Sequence, residues 1–249
     1  MNRAYRPLKA PPYLWVLLVA SLFAACSASS SGSKVPPAAP DTTADEKGAV
    51  LKDVPQTVSP KARYLFYLHG RIIEERGLRP TSEQYGVYEY EQILDALKQA
   101  GFVVISEARA KNTDVKTYAQ KVVGQVRALL KAGVPAGHIT VVGASKGAAI
   151  DMWVSTYLKN RDVNFVLLAD CNDEVFARHD IDLWGNVLSI YDVKDEFGHT
   201  CQRFFDKATG LNRHKEIEVK LGIGHALLYR PMKEWVEPTI EWARQSASK

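Results

Sequence analysis

Runs of apolar and β-branched residues alternate along this chain with segments of helical periodicity, and that alternation predicts an α/β architecture: a mostly parallel sheet of about six strands with helices on both faces. Two further observations support it. One is a strand-to-helix corner in "HITVVGASKGAAIDMW", where five strand-forming residues meet a glycine-flanked turn and then a helical pattern. The other is size: 249 residues, 46% hydrophobic and 24% charged, suit one sizeable core rather than several small ones. Functional sites in such sheets lie beyond the carboxyl ends of the strands.

The first 25 residues stand apart from that core. "MNRAYRPLKAPP" carries Arg3, Arg6 and Lys9, "YLWVLLVASLF" is an apolar run of eleven, and "AACS" supplies small residues before a cysteine. This is the layout of an export signal, and the run is too short for an ordinary spanning helix. "FAAC" resembles the lipobox of bacterial lipoproteins, with Phe23 where that pattern prefers Leu or Val. The resemblance implies cleavage before Cys26 and lipidation of that residue; a cleaved secreted form and an uncleaved anchor remain alternatives. Ser27 rather than aspartate after the cysteine implies, by the same resemblance, an outer-membrane location facing the periplasm in a Gram-negative host.

Residues 26–59, rich in Ser, Pro and Ala without a period, read as a flexible tether of about 30 residues. Removing residues 1–25 takes away three positive charges and no acidic residue, so the formal +4 falls to about +1. With no zinc finger and no basic-aromatic array, nucleic acid is not an expected partner.

Residues 60–249 form the expected catalytic domain. "ARYLFYLHG" reads as a buried strand ending at Gly70, and the polar segment from Arg71 to Val87 as an irregular roof over part of a pocket. "EYEQILDALKQAGF" gives a short amphipathic helix through Ile93, Leu94 and Leu97, and "FVVISE" a second strand. The clearest helix is "DVKTYAQKVVGQVRALLKAG", with Tyr118, Val122, Val126 and Leu129 or Leu130 on one face, Asp114 as its N-cap and Gly133 at its end. Then come "HITVVG", the helix "KGAAIDMWVSTYLKN", and the strands "VNFVLLAD" and "GNVLSIYD". "EFGHTCQRFFDKAT" reads as a helix, "KEIEVKL" as the sixth strand, and "MKEWVEPTIEWARQ" as a last helix bent at Pro238. The fourteen residues "CNDEVFARHDIDLW" leave no room for a large lid.

A serine hydroxyl becomes a useful nucleophile when held clear of its own backbone, beside a base and beneath amide protons. The "GASKG" turn meets two of these needs: Gly143, Ala144 and Gly147 leave space, and the helix that follows directs its free N–H groups at Ser145. Here the sequence resembles the α/β-hydrolase family over roughly residues 60–245, through "YLHG", "GASKG" and "GIGHALLY". The resemblance implies a three-layer fold with Ser145 as nucleophile, His225 as general base and Asp195 as the acid, Asp192 being the second choice. It also implies an oxyanion hole made by the backbone N–H groups of Lys146 and Arg71. By the family's strand order, Cys171 and Cys201 fall at the same end of neighbouring strands, which allows a disulfide in an exported protein, two separate buried thiols being the alternative.

The remaining histidines read as structural or surface residues: His69 as a hydrogen-bonding residue, His138 and His214 as solvated, His179 and His199 in loops after strands. None has metal-ligand spacing, so neither a metal nor a cofactor is implied. Arg71, Arg76, Arg79, Arg109, Lys111 and Lys146 are expected near the active end, as are Glu74, Glu75, Glu83 and Glu107. Either an anionic substrate or a self-neutralising network fits that set. The leading expectation is a serine hydrolase of a small-molecule acyl ester or thioester, then a peptidase or amidase with the same triad, then a non-catalytic binding protein of the same fold.

Overall fold

The computed structural model describes residues 49–245. The leader, Cys26 and most of the tether lie outside the described residues. In chain order the strands are β1 (Val50–Leu51), β2 (Tyr64–Leu68), β3 (Thr81–Ser82), β4 (Gly86–Val87), β5 (Val103–Ile105), β6 (Ile139–Ala144), β7 (Asn164–Leu168), β8 (Trp184–Asp192) and β9 (Gly210–Val219). The helices are α1 (Arg71–Arg76), α2 (Tyr90–Gln99), α3 (Val115–Lys131), α4 (Lys146–Leu158), α5 (Asp173–Arg178), α6 (Gln202–Lys207) and α7 (Lys233–Arg244).

Seven strands build the main sheet in the order β1-β5-β2-β6-β7-β8-β9, and every pairing within it is parallel. Strand residues alternate between two cores because successive side chains point to opposite faces. Tyr64, Phe66 and Leu68 of β2 join Val122, Val126 and Leu129 of α3 and Ile150 and Val154 of α4. Leu65 and Tyr67 join Ile93, Leu94 and Leu97 of α2 and Trp235 and Trp242 of α7. Helices on both faces make the three layers, and no lid is inserted between β7 and β8, where only the short α5 stands.

Four differences from the sequence reading concern local detail. The sheet has a seventh strand, β1, inside the stretch read as tether: Val104 N–H donates to Ala49 O and Ser106 N–H to Leu51 O. Two residues are too few to leave a periodic signal, so only tertiary pairing reveals them. The segment read as irregular from Arg71 to Val87 holds α1 and the antiparallel pair β3 and β4. His214 lies within β9 rather than in a turn, its ring 4.6 Å from that of Phe205. His138 is half-buried, and burial lowers its pKa from the ordinary value.

Other local expectations hold. Asp114 Oδ1 accepts from Thr117 N–H at the start of α3, and Gly133 takes the left-handed φ of 89° beyond its end. Helix α7 forms where expected, and it runs as one element through Pro238 to Arg244, without a break at the proline where the bend was expected. Cys171 and Cys201 are joined by a disulfide, their Cα atoms 5.1 Å apart, tying the end of β7 to the start of α6. A loop of this length gives on the order of 3–4 kcal/mol in the chain-entropy account.

Candidate functional site

Ser145 is the residue between β6 and α4, and its backbone is left-handed at φ 53°, ψ −124°. Such a φ is strained for a residue with a Cβ, and it persists because the surroundings fix it. Ser145 N–H donates to Leu168 O at 2.9 Å, while Ser145 O accepts from Ala148 and Ala149 as α4 begins. The neighbouring glycines are obligatory by space. A Cβ on Gly147 would lie 1.8 Å from Leu68 O, and one on Gly143 would lie 2.3 Å from Gly147 O. Lys146, the first residue of α4, has an amide N–H with no acceptor inside the helix, as the first turn of any helix must.

His225 and Asp195 meet on the loops after β9 and β8. His225 Nδ1 lies 2.9 Å from Asp195 Oδ2 and 3.1 Å from Oδ1, and both residues are buried. Asp195 Oδ1 also accepts from the N–H groups of Phe197 and Gly198, each at 2.9 Å. With an acid on Nδ1, the neutral imidazole carries its proton there and leaves Nε2 as the basic nitrogen. The ring packs between Phe197, 4.9 Å away edge-on, and Tyr85, 5.7 Å away.

Asp192 does different work three residues earlier. Its Oδ1 accepts from Lys194 and Gly224, and its Oδ2 from Leu221 and Gly222, at 2.9 to 3.1 Å. Burial pushes this carboxyl up, but the four amide donors together outweigh it and hold the pKa below the ordinary value. Asp192 therefore clamps the loop that delivers His225 onto the end of β8, and it makes no contact with the imidazole.

The basic residues near the serine are largely neutralised. Glu74 of α1 is buried, with Oε1 2.8 Å from Arg109 Nε and Oε2 2.5 Å from Lys146 Nζ. Lys146 Nζ also donates to Thr113 O at 2.7 Å. Arg109 further donates through Nη2 to His69 O, and its backbone N–H donates to His69 Nε2 at 2.9 Å. His69 Nδ1 in turn lies 2.8 Å from Gly70 O, so its two partners require the neutral Nδ1–H tautomer. Burial first, and then the charge of Arg109, lower its pKa to about 3. His69 is structural, as the sequence predicted, and Lys146 and Arg109 are spoken for by Glu74.

A cavity of about 510 Å³ collects these elements, a volume suited to a small-molecule ligand. Ser145, Lys146 and His225 line it together with Gly70 and Arg71, and Ile72, Tyr85, Tyr88, Phe197, Leu228 and Tyr229 give it an aromatic and apolar wall. The same cavity is lined by Asp170, just past β7, which the sequence reading passed over although "LLAD" places an acid at a strand's carboxyl end. His179 and His199 are exposed. Among the described residues, no group of three or more His, Cys, Asp or Glu side chains could hold a metal ion. Nor is any described helix long and apolar enough to cross a membrane.

No family model and no curated protein matches the sequence. Solved structures do resemble the fold. Est1E from Butyrivibrio proteoclasticus, with bound ferulic acid, aligns over 79% of this chain and 94% of its own, at 14% identity and a TM-score of 0.50. A CIB-like hydrolase from Thermoplasma acidophilum aligns over 76% and 88%, at 17% identity and a TM-score of 0.47. A hydrolase of the alpha/beta superfamily from Xanthomonas campestris pv. campestris aligns over 72% and 98%, at 12% identity and a TM-score of 0.43. At 14% identity the resemblance to Est1E is a likeness of fold.

Proposed function

We propose that the protein is a serine hydrolase of small acyl esters or thioesters, with Ser145 as nucleophile, His225 as general base and Asp195 as the group that orients and stabilises the imidazole. The observation that carries this reading is the joint presence on one cavity of a strained serine at a strand-to-helix corner and a histidine backed by a buried carboxylate. His225 Nε2 takes the Ser145 proton as the oxygen attacks the acyl carbon, then returns it to the leaving group; water repeats the two steps on the acyl-enzyme. The developing oxyanion is held by the amide protons of Lys146 and Arg71, whose side chains take no part. Lys146 is engaged by Glu74, which lowers the case for an anionic substrate drawn by that cation.

A small ester substrate is preferred to a peptide because the cavity, at about 510 Å³, is of small-molecule size. The test is hydrolysis of short aliphatic and aromatic nitrophenyl esters, beside the matching anilides. Ser145→Ala and His225→Ala should each reduce kcat/KM by about 10³-fold or more, with circular dichroism unchanged. Turnover retained in both variants would overturn the assignment, and faster cleavage of the anilides would move it to an amidase. For the export signal, we propose lipidation at Cys26 and an envelope location. Palmitate incorporation lost in Cys26→Ala supports this; attachment without acyl incorporation points to an uncleaved anchor.

A further inference from the structure

The carboxyl of Asp170 lines the cavity and takes no part in the proposed reaction. Its Oδ2 is buried without a hydrogen-bond partner. The residue before it, Ala169, is left-handed at φ 52°, a strained conformation at the strand end that presents Asp170. The protein has tied down the backbone on either side: Ala169 N–H donates to Ile190 O, Asn172 Nδ2 donates to Asp170 O, and Cys171 is held by the disulfide. Neither oxygen of the carboxyl enters a hydrogen bond among the described residues, yet the residue is only partly buried where it lines the cavity, so a ligand that brings a donor supplies the missing partner.

The surrounding charges indicate which donor. Asp195 acts on Asp170 repulsively from the acid loop, and Arg71 acts attractively from α1 but forms no ion pair with it among the described residues. Of the other charged or titratable groups lining the cavity, Glu75 and Arg76 oppose each other in sign, Lys146 is bound by Glu74, and His225 is bound by Asp195. Two neighbouring carboxyls with no cation seated between them favour a positive group over a neutral or anionic one.

We infer that Asp170 anchors a substrate subsite for a protonated amine, so that the ester consumed at Ser145 carries an ammonium group. This rests on the hydrolase reading above and adds the substrate class to it. Burial, then the Asp195 charge, push the Asp170 carboxyl well above the ordinary carboxylate range, with Arg71 pulling the other way.

Two measurements test the subsite separately from the reaction. In matched ester pairs differing only by a terminal amine for a terminal methyl, placed in the acyl chain in one pair and in the alcohol in the other, the intact protein should favour the amine in at least one pair. A preference in kcat/KM of about tenfold or more, carried mainly by KM, should fall toward unity in Asp170→Asn. No preference in either pair overturns the subsite while leaving hydrolysis standing. The second measurement needs no turnover: calorimetric titration of Ser145→Ala with butylamine at pH 7. Binding that is lost in Ser145→Ala/Asp170→Asn supports the subsite even if no ester is cleaved. Butylamine that fails to bind, or binds equally well to both variants, overturns it.

Discussion

The two walls of the cavity handle buried charge in opposite ways. On the wall built after β2 and β5, Glu74 is shared between Arg109 and Lys146, and His69 is locked between Arg109 and Gly70. Both oxygens of the buried Glu74 have a partner. On the wall built after β7 and β8, Asp192 is saturated by four amides and Asp195 by His225 and two amides, but Asp170 keeps an oxygen with none. The contrast separates charges that hold the loops in place from charges available to chemistry. A satisfied carboxylate is scaffold unless its partner is itself reactive, as the imidazole is.

That division can be broken at defined points. The largest effect is expected for Asp195→Asn, which withdraws the charge behind the imidazole and disturbs its tautomer; kcat should fall by about 10³- to 10⁴-fold in ester hydrolysis with the melting temperature changed little. Next is Glu74→Ala, which leaves Arg109 buried and unpaired. Urea denaturation should show a loss of about 3–5 kcal/mol, and a loss below about 1 kcal/mol would mean that the network is not the scaffold described. Asp192→Asn should cost about 1–3 kcal/mol, because one oxygen that accepts amide protons becomes a donor facing them. If Asp192→Asn instead stops turnover well below its melting temperature while Asp195→Asn barely slows it, the two acids have exchanged roles.

The smallest effect concerns Asp151, buried within α4 with neither carboxyl oxygen partnered. Burial holds its pKa well above the ordinary value, against a smaller pull from the Val166 backbone, so the folded protein favours the protonated form more than the unfolded chain does. Its penalty grows by about 1.4 kcal/mol for each pH unit above the unfolded value near 4 until the folded value is reached. Asp151→Asn should therefore stabilise the fold by at least about 1 kcal/mol at pH 7, with the gain vanishing near pH 4. His69 acts in the opposite sense: with its folded pKa lowered to about 3, its contribution is present above the unfolded value and is lost as the pH falls toward 3. Comparing the variant with the parent at each pH cancels that slope. A gain that stays constant from pH 4 to pH 7 would show that Asp151 is ionised in the folded protein.

What the sequence disclosed was what short-range physics controls. The apolar strands, the Asp114 cap, the Gly133 terminator and the crowded glycines around Ser145 each leave a mark within a few residues. Ser145 and His225 line one cavity, and the choice of Asp195 over Asp192 was carried by the spacing of the family that the sequence resembles, not by any local pattern; it is Asp195 that lies against the imidazole. The rest depended on partners far apart in sequence. Glu74 and Lys146 are 72 positions apart, so no local pattern could choose between a substrate-attracting lysine and a neutralised one. Strand β1 is visible only through its pairing with β5. The clamp made by Asp192 uses backbone groups some thirty residues away, which carry no side-chain signature at all.

The central claim is that Ser145 is activated by His225, and mass mapping after treatment with a fluorophosphonate probe tests it most directly. The adduct is expected on Ser145 alone and should be lost in both Ser145→Ala and His225→Ala. A correctly folded protein that takes no label, or one labelled on Ser145 equally well without His225, would contradict the claim.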